Sequence, residues 1–184
     1  MEQVKQSSTN ISVKWALIYV VTSIVITYLY QFLGVDQASS AKYLSYIPFI
    51  LFLILAQKEC KDKLGGFITF GQCFLTGFIY AVFGGIILAV FIYLYLAVLS
   101  PHVWEQMLAT QQDQLSAKGM SGDQIDSAMG IMRKYGALFA SIATLFAIPI
   151  FGAIIALVGA AIFKKDRSIL DIDQDPDANN QPVV

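Results

Sequence analysis

The sequence predicts an all-α integral membrane bundle of four transmembrane helices, with an extramembrane helical hairpin between spans 3 and 4. Three observations predict it. Hydrophobic residues make up 57% of the 184 positions and charged residues only 14%, far from the roughly 25% charge of an ordinary soluble domain. The apolar residues are clumped into long uncharged runs over 15–33, 64–99 and 135–163. The first has about the 20 helical residues that cross a hydrocarbon layer about 30 Å thick, and the other two exceed that length. Between the last two runs lies a polar segment with two helix-start signals.

Residues 1–14 are expected to form a cytoplasmic N-terminus, and the first span covers 15–33. Lys5 and Lys14 precede it and Ser39, Ser40 and Ala41 follow it, an arrangement a cleaved signal peptide also shows. The apolar run outlasts a signal-peptide core of about 7 to 15 residues, and Tyr19, Tyr28 and Tyr30 suit a retained, interface-anchored helix. The second span, 43–57, is short and contains Pro48. Lys42 and Lys58 at its ends extend it by reaching toward headgroups.

The segment "QKECKDKLGGFITFGQCF" connects to the third span, expected over 70–99. Gly65 and Gly66 break the chain, and Thr69 with Gln72 has the spacing of a capping box. Cys60, in the charged loop, and Cys73, one turn into the span, are read as unpaired thiols in a reducing compartment. Acylation of Cys60 would rest on its position alone.

Residues 100–134 read as two short helices. Ser100 is expected to cap the first, with Pro101 at its first position, and Lys118 with Gly119 to end it. Trp104, Met107, Leu108 and Leu115 form a mostly apolar face, suited to packing on the bundle or lipid surface or to binding a partner. Ser121 and Gln124 signal the second start. The fourth span covers 135–163, and Pro149 predicts a kink in it, with a hinge as the functional alternative.

Small residues recur every four positions along the third span, at Gly77, Ala81, Gly85 and Ala89, and in the fourth at Gly152, Ala156 and Ala160. Such ridges let helix backbones approach closely. They predict either contact between spans 3 and 4 or self-association with a second copy. No acid, base or histidine stands near the centre of any span, which disfavours a proton relay or ion-coupled carrier. Thr22, Ser23, Thr27, Gln72, Thr76, Ser141 and Thr144 are expected to hydrogen-bond between or within helices. A neutral-solute path lined by them is the alternative.

His102 is the only histidine, without a predicted nucleophile beside it, so no catalytic residue, metal ligand set or cofactor is expected. The tail, 164–184, places Asp171, Asp173, Asp175 and Asp177 at alternate positions. A calcium loop of that spacing needs glycine at its sixth position and glutamate at its twelfth, where Pro176 and Pro182 stand. The tail therefore reads as a solvated acidic segment. Lysines and arginines divide as eight against four, with Lys5, Lys14, Lys58, Lys61, Lys63, Lys164, Lys165 and Arg167 on one side. By the positive-inside rule that side, with both termini, is cytoplasmic. Arg133 and Lys134, beside the fourth span, count against this orientation.

"GGFITFGQCFLTGF", "YLYLAVLSPHVWEQM", "MSGDQID" and "ALVGAAIFKKD", in this order over 12–167, resemble the four-helix bacterial inner-membrane family named domain of unknown function 4199. The resemblance implies a multi-pass inner-membrane protein whose hairpin is periplasmic, and it carries no catalytic or binding residue with it. The expected function is a non-enzymatic assembly or interaction protein of the cell envelope, with a transporter subunit or small neutral-solute channel as the alternative. The expected partners are the lipid bilayer and a second copy or another membrane protein, with no nucleic acid.

Overall fold

A computed structural model describes residues 2–34 and 46–165, with side chains from Ser8 onward. It is all-α: α1 (Glu2–Phe32), α2 (Tyr46–Lys63), α3 (Phe70–Leu94), a π-helical turn (Tyr95–Leu99), α4 (Pro101–Ala117) and α5 (Gly122–Phe163). The aspartates of the tail and the first three positions of the expected second span lie outside the described residues.

Three of these helical stretches, not four, are long and apolar enough to cross a membrane: Ser8–Phe32, Phe70–Leu99 and Gly122–Phe163. The second expected span falls short because α2 continues beyond Gln57 through Lys58, Glu59, Lys61, Asp62 and Lys63. Charge alone does not stop a helix. The stop comes at Gly65 and Gly66, whose φ of 74° and 85° are left-handed values that side chains disfavour. What the sequence presents as a charged loop is therefore the last turns of α2. Cys60, expected in that loop, is 2% exposed within it.

Two further boundaries differ from expectation. The N-terminal segment is already helical from Glu2. The second helix of the 100–134 hairpin is not separate, because α5 runs unbroken over 42 residues from Gly122, about 63 Å at 1.5 Å per residue. Nothing between Asp123 and Ile148 breaks it, and Arg133 and Lys134 lie within its length. The chain turns between α4 and α5 at Gly119, with φ of 77°.

The chain packs as two compact units. The first holds α1, α2, α3 up to Tyr80 and α5 from Gly152. Here α2 runs opposite to α1. Trp15 stacks on Phe52 at 5.7 Å and Tyr19 meets Phe49 edge-on at 5.1 Å, whereas Cys60, three turns later, lies 3.7 Å from Ser8. The starts of α1 and α3 sit at the same end, joined by Ser8 and Thr76. The end of α5 joins them there, where Ile68 and Lys165 exchange two backbone hydrogen bonds of 3.0 Å.

The second unit, Ala81–Phe151, holds the rest of α3, the π-helical turn, α4 and the first part of α5. Tyr95, Leu96 and Val103 form one buried cluster, with Trp104, Ala137 and Ala140 against it. Leu108, Ile125 and Met129 form another, flanked by Trp104, Leu115, Met120 and Met132. The apolar face of α4 thus packs on the start of α5.

Candidate functional site

The buried face of α2 carries Phe49, Leu53, Ala56, Gln57 and Cys60, a helical spacing that presents one carboxamide among apolar side chains. Gln57 is 0% exposed. Its Nε2 donates to the backbone oxygens of Cys73 on α3, at 3.2 Å, and Ala156 on α5, at 3.0 Å. One side chain thereby ties three helices. The two carbonyls also fix the amide orientation, since the opposite one would set oxygen against oxygen.

The other end of that amide is unusual: Oε1 is buried and accepts no N–H or O–H hydrogen bond. Gly159 explains how it is tolerated. A Cβ built on Gly159 would fall on Oε1, so one glycine α-hydrogen is directed at the oxygen in its place. Cα–H···O contacts of this kind recur where helices approach closely. Gly77 forms the opposite wall, and a Cβ there would stand 2.8 Å from Ala156 Cβ and 2.9 Å from Gln57 Nε2. The two glycines are therefore the space the carboxamide occupies.

One turn nearer the end of the unit, Ser8, Ser12, Thr76 and Cys60 are also buried. The Ser12 hydroxyl reaches the backbone oxygens of Ser8, at 2.9 Å, and Thr76, at 2.8 Å. A single direction satisfies the remaining groups. The Cys60 thiol donates to Ser8 Oγ over 3.7 Å, Ser8 to Thr76 Oγ1 over 2.7 Å, and Thr76 to the Gln72 carbonyl over 2.9 Å. Every hydroxyl in this chain donates once and no charge is buried, which suits an apolar surrounding. Tyr80, 0% exposed, closes the other end by donating to the Phe49 carbonyl at 3.0 Å.

At the charged rim, Glu59 accepts from Lys14 at 2.5 Å and from the Trp15 indole at 2.7 Å, and Lys63 stands 3.5 Å away. The Lys14 hydrogen bond is the main cause holding the Glu59 carboxyl below its ordinary value, against a partial desolvation that raises it.

The small-residue ridges are buried along their length. In the first unit Gly77 faces Ala156, and Ala156 and Ala160 are 0% exposed. Gly152 is buried there as well. In the second unit Gly85 faces Pro149 Cδ and Ile148, and Ser141 Oγ donates to the Ala89 carbonyl at 2.9 Å. Ala81 and Ala89 are 0% and 5% exposed. Pro149 sits inside a continuous helix, its ring against a residue with no side chain.

Trp104 covers Gly136, where a Cβ would enter the indole ring. Leu108 is buried and Leu115 half-buried, while Met107 is 42% exposed. Ser100 makes no side-chain cap hydrogen bond, in contrast to expectation; it is 2% exposed, and its backbone oxygen accepts from Val103. The capping box at the start of α3 is present in both directions. Thr69 N–H donates to Gln72 Oε1 at 3.1 Å and Gln72 N–H to Thr69 Oγ1 at 3.3 Å.

Gln57, Ser8, Ser12 and Gly159 are the site residues that the sequence reading missed. Ser8 and Ser12 stand one turn apart, and Gln57 closes an apolar run; those are the only signals the sequence holds. Among the described residues no three histidine, cysteine or acidic side chains are grouped as metal ligands.

No curated protein and no solved structure matches the chain. A family model does match, over residues 14–165. That stretch takes in α2, α3, α4, α5, the α1 segment from Lys14 and the Gln57 cradle with both its glycines, and the chain belongs to the family described as protein of unknown function (DUF4199).

Proposed function

We propose that this chain is a four-span protein of the bacterial inner membrane with both termini in the cytoplasm, and that it serves as a non-enzymatic assembly or interaction component of the cell envelope. The observation that carries the four-span topology is the shared end of α1 and α3. Both helices start where Ser8 meets Thr76. A chain that leaves along α1 and begins α3 at the same level has to return in between. The described helix that returns is α2, from Phe49 beside Tyr19 to Cys60 beside Ser8. Its 12 residues from Tyr46 to Gln57 cover about 18 Å of that return.

The role is supported by what the polar groups in these helices do. Gln57, Ser8, Ser12, Thr76, Tyr80 and Ser141 hydrogen-bond across helices, so they hold a bundle together. The ridges are occupied within their units, and so are Trp104, Leu108 and Leu115 of the α4 face. Assembly with another component then falls to the outward side of α4, where Met107 is exposed among Glu105, Gln106, Thr110 and Asp113.

Purification of the full chain in mild detergent, with its mass measured by light scattering, tests the role. An oligomer or a co-purifying protein is expected. A strictly monomeric particle with nothing bound removes the assembly reading. A photo-crosslinking residue at Met107 in intact cells then reports the partner.

A further inference from the structure

The end of the first unit where α1 and α3 start and α2 and α5 finish carries a dense set of lysines. Lys14, Lys58, Lys61, Lys63, Lys164 and Lys165 oppose Glu59 and Asp62, six charges against two among the residues there whose side chains are described. Glu59 is already engaged by Lys14 and Lys63. The excess is therefore positive, and it is held in place. The paired backbone bonds between Lys165 and Ile68 fix the last described residue of the chain to the start of α3.

Aromatic rings interleave with these ammonium groups. Lys165 Nζ lies 4.9 Å from the Phe67 ring centre, Lys61 Nζ 5.9 Å from Phe163 and Lys14 Nζ 5.0 Å from Trp15. Phe163 is the last residue of an apolar helix, and Phe67 precedes another. On the membrane reading, the ends of these apolar helices meet the headgroup layer, where lysine side chains reach toward phosphate.

We infer that Lys58, Lys61 and Lys165, backed by Phe67 and Phe163, form a docking surface for anionic phospholipid headgroups. This rests on the membrane reading above. Juxtamembrane lysine clusters attract anionic lipid by charge, at a range limited by salt. Here the cluster is also positioned by rings and by the strap at Lys165, which favours lipid contact over a loosely held solvated run.

The test uses the full chain reconstituted in phosphatidylcholine vesicles. Trp15, hydrogen-bonded to Glu59, reports this end of the molecule once Trp104→Phe removes the other tryptophan. Brominated phosphatidylglycerol is expected to quench Trp15 at least twofold more than the same fraction of brominated phosphatidylcholine. That excess should collapse when salt is raised from about 0.05 to about 0.5 M, and in the triple variant Lys58→Gln, Lys61→Gln, Lys165→Gln.

Equal quenching by the two lipids overturns the proposal, as does an excess that survives both high salt and the triple variant. If the variant loses its helical circular dichroism, the salt dependence of the parent decides alone. Inorganic phosphate that removes the excess more strongly than sodium chloride of equal ionic strength would identify a free-anion site instead. Equal quenching combined with lysine-dependent binding of a labelled polyglutamate would identify a protein-docking face. Absence of quenching by either lipid would instead count against membrane insertion itself.

Discussion

Gln57 is held by two kinds of contact that respond differently to substitution. Its Nε2 bonds go to carbonyls that already serve their own helices, and interhelical hydrogen bonds in membranes contribute only about 0.6 kcal/mol on average. The glycine wall is a matter of volume instead. Gly159→Ala would place a methyl on Oε1, and overpacking of this kind costs about 1–3 kcal/mol. Unfolding in detergent should therefore show Gly159→Ala to be the worse change, with Gln57→Leu within about 1 kcal/mol of the parent. Combining Gly159→Ala with Gln57→Ala should recover most of the loss, because the added methyl then enters vacated space. A double-mutant cycle with no coupling would sink this account of Oε1. Gln57 was hard to read from sequence for the same reason. Its meaning depends on glycines on two other helices, and its own position suggests only the end of a span. The charges around Cys60 suggest a loop, whereas they belong to a helical turn of which one face is buried.

The elements were legible where their signals are local. The reciprocal capping box of Thr69 and Gln72, the glycine turn at Gly65 and Gly66, and the apolar face of α4 follow from residues within one or two turns. Continuity was not legible, because α5 passes through Arg133 and Lys134 at the point where an uncharged run begins, and hydropathy marks that point as an edge. The physical stop signals, glycine at positive φ and proline, are absent from that stretch of α5. Its junction with α4 rests on Trp104 over Gly136. Gly136→Leu should push the indole away and loosen α4, so limited proteolysis at the turn near Gly119 should accelerate while the helical content of the spans holds. At the other end, Glu59 ties α2 to α1 through Lys14 and Trp15. Its carboxyl lies below the ordinary value of 4.5, so the stabilisation is present above about pH 4.5 and is lost as pH falls through the lower folded-state value. In a Trp104→Phe background, Trp15 fluorescence should change on acidification in that window. Glu59→Gln should flatten the response, and an unchanged acid transition would argue against the tie.

At the scale of the whole molecule, the number of crossings is an even or an odd matter. The pattern of uncharged runs supplies three clear spans, and three would place the start of α1 and the end of α5 on opposite faces. The even number proposed here is supported by the packing of the first unit. Ser8 with Thr76 and Ile68 with Lys165 gather the start of α1, the start of α3 and the end of α5 at one end. The small-residue ridges, read from sequence as either internal or intermolecular, have contacts inside their own units. Single reporter cysteines can test the crossing number directly, in a chain with Cys60→Ser and Cys73→Ala. Both native thiols are buried, and removing them leaves only the reporter to label. Asn10→Cys and Lys165→Cys should behave alike, protected from a membrane-impermeant maleimide in intact cells and labelled once the inner membrane is opened. Lys118→Cys, in the turn after α4, should label in cells whose outer envelope alone has been made permeable. Opposite behaviour of the reporters at 10 and 165 would exclude an even number of crossings. Early labelling of both, with position 118 protected, would keep four spans but invert the orientation that the lysine distribution favours.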